Sequence, residues 1–339
     1  MRRLLGLLGV VAVAALLVAA CGDDDDDDAS GSTTSNTAPT AEVSAPDPTE
    51  EPAATVDLSQ DDLGRAVDLP EGPQRIVALS PSIVELMYAV GAMPVGKPNS
   101  ADFPPEAADV ANFGESRNPN FEELAAMEPD LIIADALLHQ QLADDLSSQL
   151  NVPVFAVRVA SFDDVTAGLR KVGAMTGNAE AGETAAAALE EQLAAIQADL
   201  PADGPTVLVL VAAGQNQFIA ARGNTYLGDI LSQLGAKNLV TDEPENFAYA
   251  GFSDYSLERI IERDPDVIIA ASIGGPPGTP MTSDILKGVP ALGTLTAVRQ
   301  NRVYEVDPFV YIQSAGPRVA LILAELPKLL YPEVFAQAR

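Results

Sequence analysis

The sequence contains two similar stretches, FEELAAMEPDLIIAD at residues 121–135 and LERIIERDPDVIIAA at residues 257–271, which are offset by 136 residues. Six of the fifteen positions carry the same residue. Each copy predicts a short helix, a Pro-Asp turn and a continuous apolar run that is typical of a buried parallel strand. The repeat therefore predicts two similar α/β lobes, although this order of elements is common enough to recur by chance. The identical pairs are Glu122/Glu258, Pro129/Pro265, Asp130/Asp266, Ile132/Ile268, Ile133/Ile269 and Ala134/Ala270.

The sequence around each copy predicts further strands and helices. Ser82 and Glu85 have the spacing of a helix capping box, which predicts a helix directly after the first strand. Further helices are predicted for YLGDILSQLGA at residues 226–236 and from Pro317 to about Leu330. The predicted strands lie at residues 75–80, 94–96, 130–134, 152–157, 206–213, 217–221, 266–271 and 302–307.

A long helix is predicted between the two lobes. Residues 178–200 are rich in Ala, Glu, Leu and Gln and contain neither Gly nor Pro after Gly182, which predicts one helix of about 20 residues and about 30 Å. The predicted domains are an N-terminal lobe at 57–177, this connecting helix, and a C-terminal lobe at 201–339. A single rigid helix permits only a modest change in the opening of a cleft between the lobes.

The N-terminal residues predict export and lipid attachment. Two arginines precede an uncharged apolar run from Leu4 to Leu17 and the sequence LVAAC, which is the layout of a bacterial signal peptide over residues 1–21. The run has about 14 residues, fewer than the ~20 that a membrane-spanning helix needs. Cys21 is the only cysteine and the expected site of lipidation, unless it is a chance cysteine in this segment.

The composition limits the possible partners. Residues 22–56 contain ten acidic residues and no basic ones, which predicts a disordered tether, and we interpret its six-aspartate run as a spacer rather than a cation site. The whole chain has a formal net charge of −30, which argues against nucleic acid or an anionic membrane face as a partner. One cysteine allows neither an intrachain disulfide nor a metal site built from several cysteines.

No catalytic set is recognisable in the sequence. His139 is the only histidine, and no GxSxG, HExxH, P-loop or GxGxxG arrangement occurs. An enzyme is therefore not expected, and neither is a bound cofactor. A secreted enzyme and a surface adhesin are kept as remote alternatives.

The expected ligand site lies at the carboxyl ends of the predicted strands, because ligands of open α/β folds bind there. The arginines could hold an anionic chelate through forked hydrogen bonds, and the aromatic residues could stack or ligate. The alternatives are solvated arginines, an exposed His139 and aromatics that only shape loops. The candidates are Ser82, Asn99, Arg117, His139, Arg158, Arg222, Tyr249, Phe252, Tyr311 and Arg318.

The motifs, taken in order, resemble a known family over about residues 70–335. They are similar to those of the substrate-binding proteins of ABC importers for iron-siderophores, cobalamin and haem. That family has two Rossmann-like α/β lobes joined by a single long helix, the fold class expected here. The motifs are RIVALSPSIVELMYAVGAMPVG, DFPPE, NPNFEELAAMEPDLIIA, YLGDILSQLGAKNLV, SLERIIERDPDVIIA, RVYEVD and GPRVALILAELPKLLYPEVF.

The resemblance implies a transport partner and a location. In this family a glutamate on each lobe docks onto the membrane permease, and Glu122 in NFEEL and Glu258 in SLERI match those positions. The implied protein is an extracytoplasmic lipoprotein, held to the membrane only by lipid, such as palmitate, on Cys21. It would deliver a small-molecule iron chelate to the permease subunits of its importer.

The resemblance also narrows the ligand. An iron-siderophore held by arginines and tyrosines is expected rather than cobalamin, because the chain has no tryptophan and has Ser100 and Ser116 where cobalamin binders carry aromatics. Haem is the alternative, with His139 and Tyr249 as its possible iron ligands. A site that binds a bare metal ion directly is not expected.

Overall fold

The computed structural model describes residues 56–214, 217–241, 243–274 and 279–336. The predicted signal segment 1–21, including Cys21, and residues 22–55 of the predicted tether lie outside the described residues. No helix in the described ranges is both long enough and apolar enough to cross a membrane.

The first half of the chain builds a parallel sheet with the strand order β1-β2-β3. Its strands are β1 (Ile76–Ala78), β2 (Leu131–Asp135) and β3 (Val154–Val157). Its helices are α1 (Pro81–Ala89), α2 (Phe121–Ala126), α3 (Ala143–Leu150) and α4 (Phe162–Met175), with a 3-10 turn at Pro105–Asp109. The first copy of the repeat supplies α2 and the central strand β2.

The second half builds a larger mixed sheet with the strand order β7-β5-β4-β8-β9, and β6 also pairs with β4. Its strands are β4 (Thr206–Gly214), β5 (Gln217–Ala221), β6 (Lys237–Asn238), β7 (Phe252–Tyr255), β8 (Val267–Ala271) and β9 (Val303–Val306). Strand β5 runs antiparallel to β4 and β7, whereas β8 is parallel to both of its neighbours. The helices are α6 (Tyr226–Gln233), α7 (Leu257–Arg263), α8 (Thr282–Gly288), α9 (Thr296–Arg299), α10 (Val319–Leu330) and α11 (Pro332–Phe335), with a 3-10 turn at Pro290–Thr294 and a π turn at Phe309–Gln313.

Helix α5 (Ala179–Ala198) connects the two sheets in the sequence and packs against α4 and α10. Helices α4 and α5 approach closely where Gly173 faces Gly182. A Cβ atom added at Gly182 would lie 2.6 Å from the carbonyl oxygen of Leu169, so only glycine fits there. Two sheet-bearing lobes and a long connecting helix confirm the predicted fold class.

The continuous apolar runs are buried on both faces, as expected for strands in the middle of an α/β lobe. Ile76 and Ala78 pack into the cluster of buried side chains that contains Leu189 of α5, whereas Val77 packs into a different cluster on the opposite face. In β4, Val209 joins the cluster around Leu189. One apolar core therefore reaches from the first sheet through α5 to the second sheet.

The Pro-Asp turn plays the same part in both copies of the repeat. The backbone N–H groups of Gln74 and Arg75 donate to the carboxylate of Asp130 over 2.7 and 2.9 Å. The backbone N–H and the hydroxyl of Thr206 donate to Asp266 over 2.9 and 2.7 Å. Asp130 thus holds the start of β1 beside β2, and Asp266 holds the start of β4 beside β8. This shared role gives a physical reason why both copies of the repeat carry an aspartate here.

The predicted capping box at the start of α1 is wrong. The N-cap is Ser80, whose Oγ accepts from the backbone N–H of Ile83, and Pro81 occupies the first helical position. Proline suits that position because its missing N–H needs no partner. Ser82 therefore lies inside the helix, and the Glu85 carboxylate is free to bond elsewhere.

The predicted strand at residues 94–96 is wrong, because Gly96 makes only an isolated bridge to Val77. No strand was predicted between residues 221 and 266, where the structure has the short β6 and strand β7, which pairs with β5 at the edge of the second sheet.

Replacing Asp130 or Asp266 with Ala should lower the free energy of unfolding by about 1–3 kcal/mol, because two donors at the start of a strand lose a charged acceptor. The loss should be larger for Asp266, because its donor Thr206 is half-buried whereas Gln74 and Arg75, the donors to Asp130, are exposed. Urea denaturation of the purified variants measures the loss. Asp68→Ala is the matched control, because Asp68 is exposed and accepts no side-chain hydrogen bond within the described part of the chain. An equal loss in all three variants would contradict the proposed fastening role.

Candidate ligand-binding cleft

A cleft lies between the first and the second sheet. It consists of two cavities of about 690 and about 550 Å³ that share the lining residues Arg117, Leu138 and Gln313. Both volumes fall in the range of small-molecule sites. We call the two cavities together the inter-sheet cleft.

The topology places this cleft at strand ends. In the first lobe, Ser80 follows β1 and begins the helix that brings Ser82 to the second cavity, and Asp135 is the last residue of β2. The second lobe contributes Ala221, the last residue of the antiparallel strand β5. Crevices at the carboxyl ends of parallel strands are the usual ligand sites of open α/β sheets. The first lobe therefore contributes the carboxyl ends of β1 and β2 to the cleft.

An ion pair joins the two walls. The guanidinium of Arg318 donates to both carboxylate oxygens of Glu85, over 2.9 and 2.6 Å, and the hydroxyl of Ser314 donates to the same carboxylate over 2.8 Å. Glu85 is only 3% exposed and lies on α1, whereas Arg318 immediately precedes α10. A paired and buried carboxylate of this kind commits Arg318 to Glu85 rather than to a ligand.

Apolar side chains surround the mouth of the cleft. Phe103 is 42% exposed and its ring lies 4.8 Å from the guanidinium carbon of Arg318, a cation–π contact. Phe309, which is 58% exposed, lines the same cavity, and the exposed Leu137 lines the other. Exposed aromatic residues beside a cavity favour contact with a large, partly apolar ligand.

Arg117 is the cation left uncommitted inside the cleft. Its exposed side chain lines both cavities and makes no ion pair with any residue in the described ranges. The buried Asp135 carboxylate accepts from the backbone N–H groups of Leu137 and Leu138, over 2.9 and 3.2 Å. Burial raises the pKa of Asp135, and the positive charge of Arg117 partly opposes that rise.

His139 is a structural side chain. It is fully buried, its Nδ1 accepts from the backbone N–H of Asp135 over 3.0 Å, and its Nε2 lies 3.1 Å from the carbonyl oxygen of Ser116. Accepting at Nδ1 and donating at Nε2 describes the neutral imidazole. Burial, together with the positive charge of neighbouring Arg117, lowers the pKa of His139 to about 4. Both ring nitrogens are occupied, which is not the arrangement of a haem-iron ligand.

The structure brings some of the predicted site residues together and leaves others apart. Ser82, Asn99, Arg117, Phe252, Tyr311 and Arg318 line the inter-sheet cleft. The remaining candidates, His139, Arg158, Arg222 and Tyr249, line neither cavity.

The sequence reasoning missed several cleft residues. Phe103 lies in the DFPPE motif and Phe309 lies two residues before Tyr311, and neither aromatic is among the predicted site residues. Glu85 was interpreted as part of a cap. Leu138 and Gln313 carry no signal that would distinguish them from other loop residues.

Glu122 and Glu258 occupy equivalent places. Each is the second residue of its helix, after the N-caps Asn120 and Ser256, and each is exposed. A negative charge in the first turn is favoured by the helix dipole. The pKa of Glu258 is lowered by a hydrogen bond from its own backbone N–H and another from Ser256.

No three His, Cys, Asp or Glu side chains within the described ranges cluster as a metal site. The family model described as periplasmic binding protein matches residues 76–309, which is more than half of the chain. The chain belongs to the periplasmic binding protein family. A two-sheet binding protein with its cleft at the strand ends agrees with that membership.

Relatives of this binding protein differ in ligand. This chain is 27% identical over 201 residues to the vitamin B12-binding protein of Salmonella choleraesuis, and the match covers 59% of this chain and 73% of that protein. It is 25% identical over 250 residues to the Fe(3+)-citrate-binding protein YfmC of Bacillus subtilis, covering 72% and 76%. The solved structure of the periplasmic heme-binding protein RhuT from Roseiflexus sp. RS-1 matches with a TM-score of 0.63 and 27% identity, covering 78% of this chain and 100% of that one.

Replacing His139 with Gln should remove a pH-dependent loss of stability. The pKa of the folded imidazole is lowered from 6.5 to about 4, so its contribution to stability is complete above pH 6.5 and is lost as the pH falls towards 4. Between pH 7 and pH 5 the wild type should lose about 2 kcal/mol more unfolding free energy than His139→Gln. Urea denaturation at the two pH values provides the comparison, and equal losses would contradict a buried neutral imidazole.

Proposed function

We propose that this protein is the extracytoplasmic substrate-binding component of an ABC importer, with a cargo of the siderophore, haem or vitamin B12 type, and that the cargo is an iron-siderophore chelate. The observation that carries the proposal is a cleft walled by both lobes, with one uncommitted arginine inside and aromatic residues at its mouth. A chelate would place its oxygen atoms near Arg117 and its apolar parts against Phe103 and Phe309.

Two features favour a chelate whose metal is already fully ligated. His139 has both ring nitrogens engaged, so it would have to break two hydrogen bonds to bind haem iron. Burial raises the pKa of Tyr311 to about 12, which disfavours the phenolate that a ferric ion prefers. The cleft is therefore better suited to recognise the organic periphery of a chelate than to supply a ligand to its metal.

A corrinoid is the second candidate. One relative is a vitamin B12-binding protein, and Phe103 and Phe309 are aromatic side chains at the mouth of the cleft that a flat macrocycle could contact. A corrinoid also carries its metal fully ligated or nearly so, which agrees with the same observations on His139. Titration distinguishes the two cargoes.

Glu122 and Glu258 are proposed as the docking contacts to the two permease subunits. They are exposed, they stand at the same position of the two repeated helices, and their carboxylates could enter arginine-bearing sockets. Two equivalent contacts suit a partner with twofold symmetry.

Cys21 is proposed as the lipid attachment site, on the grounds of the LVAAC sequence after an apolar run. A lipid and an acidic tether would keep the receptor close to its permease and raise the effective concentration for docking.

Glu122→Ala combined with Glu258→Ala should abolish uptake of the cargo in cells while leaving its affinity for the purified protein unchanged, because neither residue lines the cleft. Glu123→Ala with Glu262→Ala removes the same charge from the same helices and is the matched control. Transport at the wild-type rate by the first double variant would exclude the docking assignment.

Arg117→Ala should weaken binding of a ferric siderophore about tenfold or more, because a charged hydrogen bond is lost. Arg158→Ala is the control, since Arg158 is an exposed arginine outside both cavities. Absorbance titrations with ferric trihydroxamate siderophores, cyanocobalamin and haemin identify the cargo. A haemin complex whose Soret band is lost in His139→Ala would replace siderophore by haem.

A further inference from the structure

The inter-sheet cleft is lined by more acidic than basic side chains. One cavity is lined by Glu85, Asp102 and Glu115 against Arg117 and Arg318, and the other adds carboxylates but no second cation. The added carboxylates are Asp135 and Glu245. Five acidic side chains therefore face two arginines, and Arg158 and Arg222 line neither cavity.

The positive charge of each of the two arginines is already balanced by a carboxylate. Glu85 neutralises Arg318 through two hydrogen bonds, and the pair is buried. The charges of Arg117 and, from outside both cavities, Arg158 act on the buried Asp135 and favour its ionised carboxylate. Neither arginine is then an uncompensated positive charge, although Arg117 keeps its N–H donors available for hydrogen bonds to a ligand.

Three exposed carboxylates are left. Asp102 and Glu115 line the first cavity and have no ion-pair partner among the residues that the structure describes. Glu245 lines the second cavity and, among the described residues, accepts a hydrogen bond only from the backbone N–H of Gly251. A cleft with low-dielectric walls and an excess of one sign of charge attracts ligands of the opposite sign and repels those of the same sign.

We propose that the inter-sheet cleft selects chelates with zero or positive net charge and discriminates against anionic ones, with Asp102 and Glu115 as specificity-determining residues. The inference rests on the proposed chelate-binding function and deepens it by naming the charge class of the cargo. It separates this chain from a receptor for a polyanionic chelate such as ferric citrate.

Ferrioxamine B with its N-acetyl and N-succinyl derivatives tests the proposal. All three share one ferric trihydroxamate core and differ in a tail that carries a positive charge, no charge or a negative charge. Affinity measured by calorimetry at low salt should fall in that order, and added salt should narrow the differences because it screens exposed charges. Equal affinities, or tightest binding of the N-succinyl derivative, would overturn the proposal.

The double variant Asp102→Asn and Glu115→Gln should reduce the preference for the cationic over the anionic derivative by about tenfold. Asp68→Asn with Glu71→Gln removes the same charge from exposed positions outside the cleft and should leave the preference unchanged. If both double variants change it equally, the preference reflects the overall charge of the protein, and the two cleft residues are not its cause.

The charge preference can be tested in the same way with a corrinoid cargo. If no trihydroxamate binds, cyanocobalamin is compared with its monocarboxylic acid, and the neutral form should bind more tightly. Tight binding of the acid would overturn the charge inference while leaving the receptor function intact. Failure of chelates and corrinoids of every charge would instead overturn the proposed function, and the charge inference with it.

Discussion

The buried pair of Glu85 and Arg318 is the interaction on which the cleft depends. Taking a carboxylate and a guanidinium out of water is costly, and it is offset only when the geometry and the hydrogen bonds are nearly complete. Here two bonds from Arg318 and one from Ser314 satisfy the carboxylate, and Phe103 covers one face of the guanidinium. Removing either charge alone would leave the other buried without compensation, at a cost of about 3–5 kcal/mol. The ion pair therefore fixes the position of one wall of the cleft relative to the other.

A further hydrogen bond between the lobes acts in the same direction. The backbone N–H of Phe162 at the start of α4 donates to Asp229 of α6 over 2.8 Å. Within the second lobe, the hydroxyl of Tyr226 on the same helix donates to the carbonyl oxygen of Gly316 over 3.4 Å. Burial raises the pKa of Asp229, and the carboxylates of its neighbours at the start of α4 add to that rise. The hydrogen bond between Phe162 and Asp229, together with helix α5, favours only a small change in the opening of the cleft.

The sequence predicted the framework of the fold better than the details of the site. A buried strand with an apolar run on both faces leaves a pattern within a few residues, so β2 and β8 were recognisable from LIIAD and VIIAA. Arg318 could not be assigned correctly in this way, because its partner Glu85 is 233 residues away and an arginine after a loop looks solvated in sequence. His139 illustrates the same limit, since its partners are backbone groups that no residue pattern encodes.

The scarcity of basic residues makes the uncommitted Arg117 informative. The chain has 49 acidic and 19 basic residues, and eight of the sixteen Lys and Arg residues in the described ranges form an ion pair. Arg158 and Arg222 also lack an ion pair within the described part of the chain, but they line neither cavity. An arginine without an ion pair inside an acidic cleft keeps its N–H donors available for hydrogen bonds to a ligand. The surrounding carboxylates determine which net charge of the ligand is favoured. The ion-paired cations are Arg65, Arg170, Lys171, Lys237, Arg259, Arg263, Arg318 and Lys328. Hydrogen bonding by one arginine and charge selection by its acidic neighbours are therefore separate properties of the same cleft.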